Sequence, residues 1–272
     1  MQRLQLLEIE DQPWCPAFLR DALTDYLQHV LKLAQPYRPM AEPLAQALCH
    51  SGAERIIDLG SGAGGPWLQL EQTLAEQGVN IPILLTDRYP NTRAISKFKV
   101  QGKGIDYFPD PVDATQVPST LLGFRTLFSS FHHFPPEQAS AILEDAVRKR
   151  QGIAIFELTQ RKTGPIITML LVPLFVWLMT PFIRPLRLSR LFFTYLIPLI
   201  PLVAFFDGFV SCLRTYTPAE MKKMTAAFQN QGYLWQTGEE RLKGAPGVVT
   251  YLIGYPAEQA ANGQGQSERT SV

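Results

Sequence analysis

The sequence has little of the charge and cysteine that mark several classes of protein. Of its 272 residues 18% are charged, and the net charge is +1, which argues against a nucleic-acid partner. The three cysteines lie far apart and form no C-x-x-C pair, which argues against a disulfide framework or a zinc site and favours a reducing compartment. The first ten residues lack the long apolar core of a secretory signal peptide. We therefore expect a cytoplasmic protein with no bound metal.

The most informative stretch of the chain is a glycine-rich segment. Residues 55–66 read RIIDLGSGAGGP, and an apolar pattern with helical spacing follows them. This order predicts a buried strand, a tight turn and the N-terminus of a helix. Glycine permits backbone conformations closed to other residues and lets the main chain approach a ligand, while the helix N-terminus offers unpaired N–H groups. The segment therefore predicts a site for a nucleotide-like cofactor.

The spacing of the glycines fits two classes of cofactor. Gly60, Gly62 and Gly65 match the dinucleotide pattern G-x-G-x-x-G, which alone is a weak signal. Asp58 with Gly60, Gly62 and Gly64 matches D-x-G-x-G-x-G, and here the sequence resembles the class I S-adenosylmethionine (SAM) methyltransferases. A carboxylate at Asp58 would repel a pyrophosphate but suits SAM, which carries an ammonium and a sulfonium and no phosphate. We favour SAM, with an NAD(P)-dependent oxidoreductase as the alternative, although no Tyr-x-x-x-Lys pair occurs.

Polar residues follow several predicted strands at their carboxyl ends, where parallel sheets gather ligands. Asp87 ends the second strand, where a carboxylate can accept both ribose hydroxyls of an adenosine. The resemblance implies that Asp113, with Asp110 as a rival, binds the adenine amino group, and that the end of the fourth strand faces the methionine moiety. The cofactor-binding residues it implies are Asp58, Gly60, Ser61, Gly62, Gly64, Asp87, Arg88, Asp113, Ala114 and Ser129.

Two adjacent histidines, His132 and His133, follow the fourth predicted strand. Histidine titrates in the range that suits a general base, and methyl transfer to a hydroxyl requires removal of a proton. We predict that one of the two is the catalytic base or orients the acceptor. The alternative is that both only shape the wall of the site. His29 and His50 are expected at the surface or at helix ends.

A long apolar segment, from Ile166 to Phe206, interrupts the pattern before the last helix and strands. Its two apolar runs contain prolines, flank an arginine-rich spacer at residues 184–190, and are each slightly short of the roughly 20 residues that span a bilayer. A transmembrane hairpin would place these arginines outside, against the positive-inside tendency. A monotopic hairpin in one leaflet would keep them at anionic headgroups. The third interpretation is a soluble lid or a dimer interface.

Together these patterns predict an α/β protein with a Rossmann-like, doubly wound, mostly parallel seven-stranded sheet and an antiparallel terminal strand. N-terminal helices precede the sheet, and a capping box at Thr217 and Glu220 opens its last helix. The predicted divisions are a helical cap at 1–50, a SAM-binding core at 51–160, a hydrophobic insert at 161–214, completion of the core at 215–255 and a disordered tail at 256–272.

The function predicted from the resemblance is SAM-dependent methyl transfer. The insert predicts a small acceptor that is hydrophobic or resident in a membrane, and a membrane surface as a partner. We therefore expect a peripheral or monotopic location on the inner face of the membrane. A non-catalytic membrane-associated module with the same fold is a further alternative. The acceptor atom and the oligomeric state stay open.

Overall fold

The computed structural model describes residues 1–90, 104–242 and 247–257, and the chain divides into two compact units. One, the insert unit, consists of Met1–Gln35 and Thr159–Tyr216. The other, the sheet unit, consists of Pro36–Leu158 and the described residues from Thr217 onward. The predicted cap at residues 1–50 is thus shared between the two units. The predicted domain limits stay a prediction, and residues 258–272 of the predicted tail lie outside the described residues.

Helices and strands alternate through the sheet unit, and further helices form the insert unit. Numbered along the chain, the helices are α1 (Ala17–Ala34), α2 (Ala41–Ser51), α3 (Trp67–Glu76), α4 (Pro136–Arg148), α5 (Thr163–Thr168), α6 (Val172–Met179), α7 (Leu188–Leu191), α8 (Leu199–Arg214) and α9 (Pro218–Thr225). The strands are β1 (Ile56–Leu59), β2 (Ile83–Thr86), β3 (Ile105–Tyr107), β4 (Phe124–Phe128), β5 (Ile153–Glu157), β6 (Tyr233–Arg241) and β7 (Val248–Pro256).

The described strands form one seven-stranded sheet in the order β3-β2-β1-β4-β5-β7-β6. Strands β1 to β5 run parallel to one another, whereas β7 runs antiparallel to both β5 and β6. Every residue of β1, β4 and β5 is buried, which explains why β1 and β5 are mostly apolar and do not alternate. The two buried polar residues of β4 have partners, since Arg125 pairs with Asp145 and Thr126 donates to Asp58. The predicted Rossmann-like fold with its antiparallel terminal strand is confirmed.

Local signals at the ends of the elements also behave as predicted. The Thr217 hydroxyl accepts from the Glu220 backbone N–H, the Glu220 carboxyl accepts from the Thr217 N–H, and Pro218 opens α9. The capping box is therefore confirmed.

Because β1, β2, β4 and β5 are mutually parallel along the sheet, their carboxyl ends lie along the same edge.

In the insert unit, consecutive helical segments run without a break from Thr163 to Phe182. Among the described residues, this 20-residue helix has the length and apolar composition to cross a membrane, and the pair Leu188–Leu196 and Leu199–Arg214 would count as a second if its two parts formed one span. That pair is bent by 78°, and Pro198 lies at the bend. Helix α1 packs against both segments through a shared apolar cluster that includes Leu19, Leu23, Val176 and Ile200.

Candidate functional site

The loop between β1 and α3 owes its path to glycine. Gly60, Gly62, Gly64 and Gly65 all have a positive φ, at +68°, +52°, +104° and +49°. Residues with a Cβ are disfavoured there by about 1–2 kcal/mol each. A Cβ added at Gly62 or Gly65 would meet no protein atom within 4 Å, so packing does not require glycine at these two positions. The loop therefore presents bare main chain to a ligand, as the sequence predicts.

Asp58, at the end of β1, is buried beneath this loop and accepts two short hydrogen bonds. The Ser61 hydroxyl donates to Oδ2 at 2.6 Å, and the Thr126 hydroxyl of β4 donates to Oδ1 at 2.6 Å. Burial raises the pKa of Asp58 to about 6, and these hydrogen bonds partly offset that rise. Since each carboxyl oxygen already accepts a hydroxyl, Asp58 ties the loop to the neighbouring strand. The predicted contact with an ammonium group would add to this role.

Asp87, at the end of β2, connects the glycine loop to the next strand. Its Oδ2 accepts from the Gly62 N–H at 2.8 Å, and its Oδ1 accepts from the Tyr89 N–H at 2.8 Å. Burial raises the pKa of Asp87, while these N–H groups and the nearby His133 act to lower it. The Asp87 carbonyl also accepts from the Val112 N–H at 2.9 Å, which brings the segment after β3 alongside.

Asp113 lies in that segment, and hydrogen bonds and an ion pair fix its carboxyl group. Its Oδ1 accepts from the backbone N–H of Thr115 at 2.9 Å and from the Thr115 hydroxyl at 2.6 Å, and Arg88 lies 3.7 Å from Oδ2. The hydroxyl hydrogen bond is the main reason that the pKa of Asp113 is lowered. Ala114 is buried and Arg88 is exposed. The rival Asp110 is exposed, so the choice between the two carboxylates stays a prediction.

Ser129, at the end of β4, has a φ of +43° and is fixed by a residue that the sequence did not reveal. The Tyr37 hydroxyl and Ser129 Oγ lie 2.7 Å apart, and Oγ accepts from the Leu158 N–H at 3.2 Å. Tyr37 is 2% exposed, and burial raises its pKa, so the phenol stays neutral. Tyr37 lies in the proline-flanked break before α2, a position where no motif indicates a functional role.

His132 and His133 form a short 3-10 turn that Glu157, at the end of β5, holds in place. The Glu157 Oε1 accepts the N–H groups of Phe131 at 2.8 Å and of His132 at 3.2 Å. Its Oε2 lies 2.6 Å from His132 Nδ1. If Nδ1 donates this hydrogen bond, Nε2 is the basic nitrogen of a neutral imidazole. His132 and Glu157 are buried, His133 is partly exposed, and the two imidazole rings lie 4.3 Å apart.

The sheet edge thus joins the predicted cofactor residues in one place. Hydrogen bonds link Asp58, Ser61, Gly62, Asp87 and the segment that carries Asp113. The sequence places Glu157 with the other polar residues at the strand ends but indicates no role for it, and the structure shows that it holds the histidine turn. Carboxyl groups beside bare main chain suit a ligand with hydroxyls and positive charge better than one with phosphates. The catalytic role of either histidine stays a prediction.

Comparison with known proteins gives likenesses in structure alone: no family model and no curated protein matches this chain. The chain is similar to the plantazolicin methyltransferase BpumL in complex with SAH, at 10% identity, with 88% of this chain and 98% of that one covered and a TM-score of 0.47. It is also similar to human N-acetylserotonin methyltransferase in complex with SAM, at 15% identity, with 85% of this chain and 55% of that one covered and a TM-score of 0.47. A third similar structure is an O-methyltransferase from neocarzinostatin biosynthesis, solved with SAM and a naphthoic acid, at 13% identity, with 84% of this chain and 56% of that one covered and a TM-score of 0.46. This chain therefore spans little more than half the length of the last two proteins.

Proposed function

We propose that this protein is a SAM-dependent methyltransferase. The observation that supports the proposal is the hydrogen bond from the Gly62 N–H to Asp87, which holds the Asp87 carboxyl against bare main chain and near the buried Asp58. A pyrophosphate at this loop would lie beside both carboxyl groups and would be repelled once they ionise. The geometry therefore favours a cationic adenosine derivative over NAD(P).

The residues of the sheet edge fit such a cofactor in a definite order. Asp87 would accept the ribose hydroxyls, and Asp113 would accept the adenine amino group. The glycine loop, with ionised Asp58 beneath it, would receive the methionine moiety next to Ser129. When bound, SAM would supply an electrophilic methyl group on its sulfonium. The protein then has to position the acceptor in line and, for a hydroxyl, remove its proton.

We assign proton removal to His132. Its Nδ1 faces Glu157 Oε2 at 2.6 Å, so Glu157 fixes the tautomer and would stabilise the imidazolium formed when Nε2 takes the proton. A positioned base of this kind contributes about 10²–10⁴-fold to rate. His133 is partly exposed and is assigned to orienting the acceptor.

The acceptor that we propose is a small apolar or lipid-like molecule. The support is the insert unit, whose exposed surface carries many large apolar side chains, among them Leu170, Phe182 and Leu196. Such a surface is a liability in water unless a partner covers it. We accordingly propose that the protein works as a peripheral or monotopic protein at the inner face of the membrane.

Calorimetric titration with SAM, SAH and NAD tests the cofactor. We expect SAM and SAH to bind and NAD not to bind. Asp87→Ala should weaken SAM binding about tenfold or more, because a hydrogen bond to a charged group is lost. Asp106→Ala removes an exposed carboxyl from β3 and is the matched control, with unchanged affinity. Binding of NAD in preference to SAM would overturn the proposal.

The base assignment needs a separate measurement, which is SAH formation with lipid extracts as the acceptor source. We expect His132→Asn and Glu157→Gln to lose turnover about 10²-fold or more while SAM affinity is kept. Turnover in both variants equal to that of the unaltered protein would show that the proton leaves by another route. Tight SAM binding with no transfer to any acceptor would favour the non-catalytic module.

A further inference from the structure

The insert unit turns apolar side chains outward along one side of its longest helix. Between Thr163 and Phe182, large apolar residues at i, i+3, i+4, i+7, i+11 and i+15 are 42–66% exposed. These residues are Ile167, Leu170, Leu171, Leu174, Leu178 and Phe182. We call them the apolar face. In a water-soluble protein a stripe with this spacing normally points inward. In this helix the side that packs inward carries other residues, Val176 and Thr180, which are buried.

We propose that the apolar face enters one leaflet of an anionic lipid bilayer and does not cross it. The charge pattern of the segment fits such a partner. Between Lys162 and Asp207 there is no acidic residue, and the charged side chains are Arg184, Arg187 and Arg190. Arg184 is exposed at the turn that follows the helix, where it can reach an anionic headgroup.

Helix α1 limits how deep the segment can go. Its apolar side packs against Val176 and Ile200, so α1 lies beside the second half of the long helix. Its acidic residues hold the arginine turn: Asp25 lies 2.7 Å from Arg190, and Asp21 lies 3.6 Å from Arg187. A span through the bilayer would carry these charges, together with the exposed Arg20 and Lys32 of α1, into hydrocarbon. Entry from one side leaves α1 in water.

Two aromatic residues, one on the long helix and one after the arginine turn, are exposed and in contact with each other. Trp177 is 50% exposed and Tyr195 is 40% exposed, and their rings meet edge to face at 5.5 Å. The Tyr195 hydroxyl donates to the Trp177 carbonyl at 2.7 Å. Aromatic side chains with one apolar and one polar end concentrate at the interface between lipid and water.

Flotation of the full chain with vesicles tests this inference, which does not depend on methyl transfer. We expect binding to vesicles that contain phosphatidylglycerol and weaker binding to phosphatidylcholine alone. The double variant Leu170→Glu/Leu174→Glu should lose binding at least about tenfold, because apolar burial is lost. The matched control is Leu122→Glu/Leu234→Glu, which alters two similarly exposed leucines of the sheet unit and should bind normally. Arg184→Glu should weaken binding to the vesicles that contain phosphatidylglycerol and should not change binding to vesicles of phosphatidylcholine.

Depth is measured by quenching of Trp177 fluorescence with brominated lipids, with Trp177→Phe as the blank. We expect stronger quenching by lipids brominated near the headgroup than by lipids brominated near the chain end. Stronger quenching at the chain end, or an arginine turn that external protease cleaves only after the vesicles are permeabilised, would show a span and overturn the single-leaflet assignment. The lipid partner would be overturned if the protein did not bind vesicles and formed a dimer that the Leu170→Glu/Leu174→Glu variant did not form. In every variant, SAM titration reports separately on the cofactor site.

Discussion

The sheet unit and the insert unit distribute polar and apolar groups in opposite ways. In the sheet unit, β1 and β5 bury apolar side chains, and the ionisable groups Asp58, Asp87 and Glu157 lie near the carboxyl ends of their strands. In the insert unit, Leu188 is 85% exposed and Leu196 is 71% exposed, whereas Arg190 and Arg214 are nearly inaccessible. Residue type therefore does not decide burial in this chain. What decides it is whether another segment of the chain covers the side chain.

The buried charges of the insert unit serve to attach its N-terminal segment. Arg214 lies 3.0 Å from Glu8 and 3.2 Å from Asp11, and Asp207 accepts the N–H groups of Ile9 and Glu10. Burial raises the pKa of Asp207. Burying such groups costs desolvation energy that their attraction offsets only when the geometry is good. We infer that these contacts fix the path of the segment more than they add net stability.

The largest effect that we predict is a loss of stability in the insert unit that leaves the sheet unit unchanged. Arg190→Met should cost the insert unit about 3–5 kcal/mol, because Asp25 and the carbonyls of Ile183 and Pro185 lose a buried donor. Hydrogen exchange should then rise in α1 and α8 and stay slow in β1 and β4. Arg187→Met, which breaks longer ion pairs that are partly exposed, is the control and should cost about 1 kcal/mol or less. An equal rise in exchange in both units would contradict the prediction.

The next effect concerns only the sheet unit. Gly62→Ala should weaken SAM binding about tenfold to a hundredfold, because the new Cβ projects into the space that the ligand needs. Left-handed backbone strain adds about 1–2 kcal/mol of destabilisation. Gly52→Ala has a matching φ of +58° and equally open surroundings at the end of α2, so it should show the strain without the loss of affinity. Equal SAM affinity in both variants would separate the loop from the cofactor, and vesicle binding should stay normal in either case.

The smallest effect is a dependence on pH that Asp58 introduces. Burial raises its pKa from 3.8 to about 6, so the native protein holds this proton more tightly than the unfolded chain. Stability without ligand should therefore fall as the pH rises from about 4 to about 6, and it should level off above that.

SAM should respond in the opposite sense, because a cation prefers the ionised carboxylate. Its affinity should drop about tenfold from pH 7 to pH 5, as most of the Asp58 carboxyl takes up a proton. Asp58→Asn should flatten this dependence in calorimetric titrations. Asp113→Asn should leave it in place, because the pKa of Asp113 is lowered and its charge does not change in this range. If the pH dependence of SAM affinity persists in the Asp58 variant, we would assign it to Asp87, because burial also raises the pKa of Asp87.

Much of the sheet unit follows from short-range patterns. The order of apolar runs and helical patterns predicts the strands, the glycine spacing predicts the loop after β1, and Thr217 with Glu220 predicts the start of α9. The carboxyl groups of Asp58 and Asp87 were predicted together because parallel strands end at one edge. Pairs between distant segments were not predicted. Tyr37 and Ser129 are 92 positions apart, and His132 and Glu157 are 25 apart.

The sequence by itself indicated the strands, the glycine loop and the apolar segment, because each has a pattern set by neighbours within a few residues, and the alternation of strands and helices favoured a mostly parallel sheet. Only the tertiary structure decided which arginines of the insert are used internally, which side of its long helix stays exposed, and which nitrogen of His132 faces a carboxyl group. The reason is that burial and hydrogen bonding depend on which distant segments come to lie beside a side chain. Those distances are set when the whole chain packs, and local spacing does not contain them.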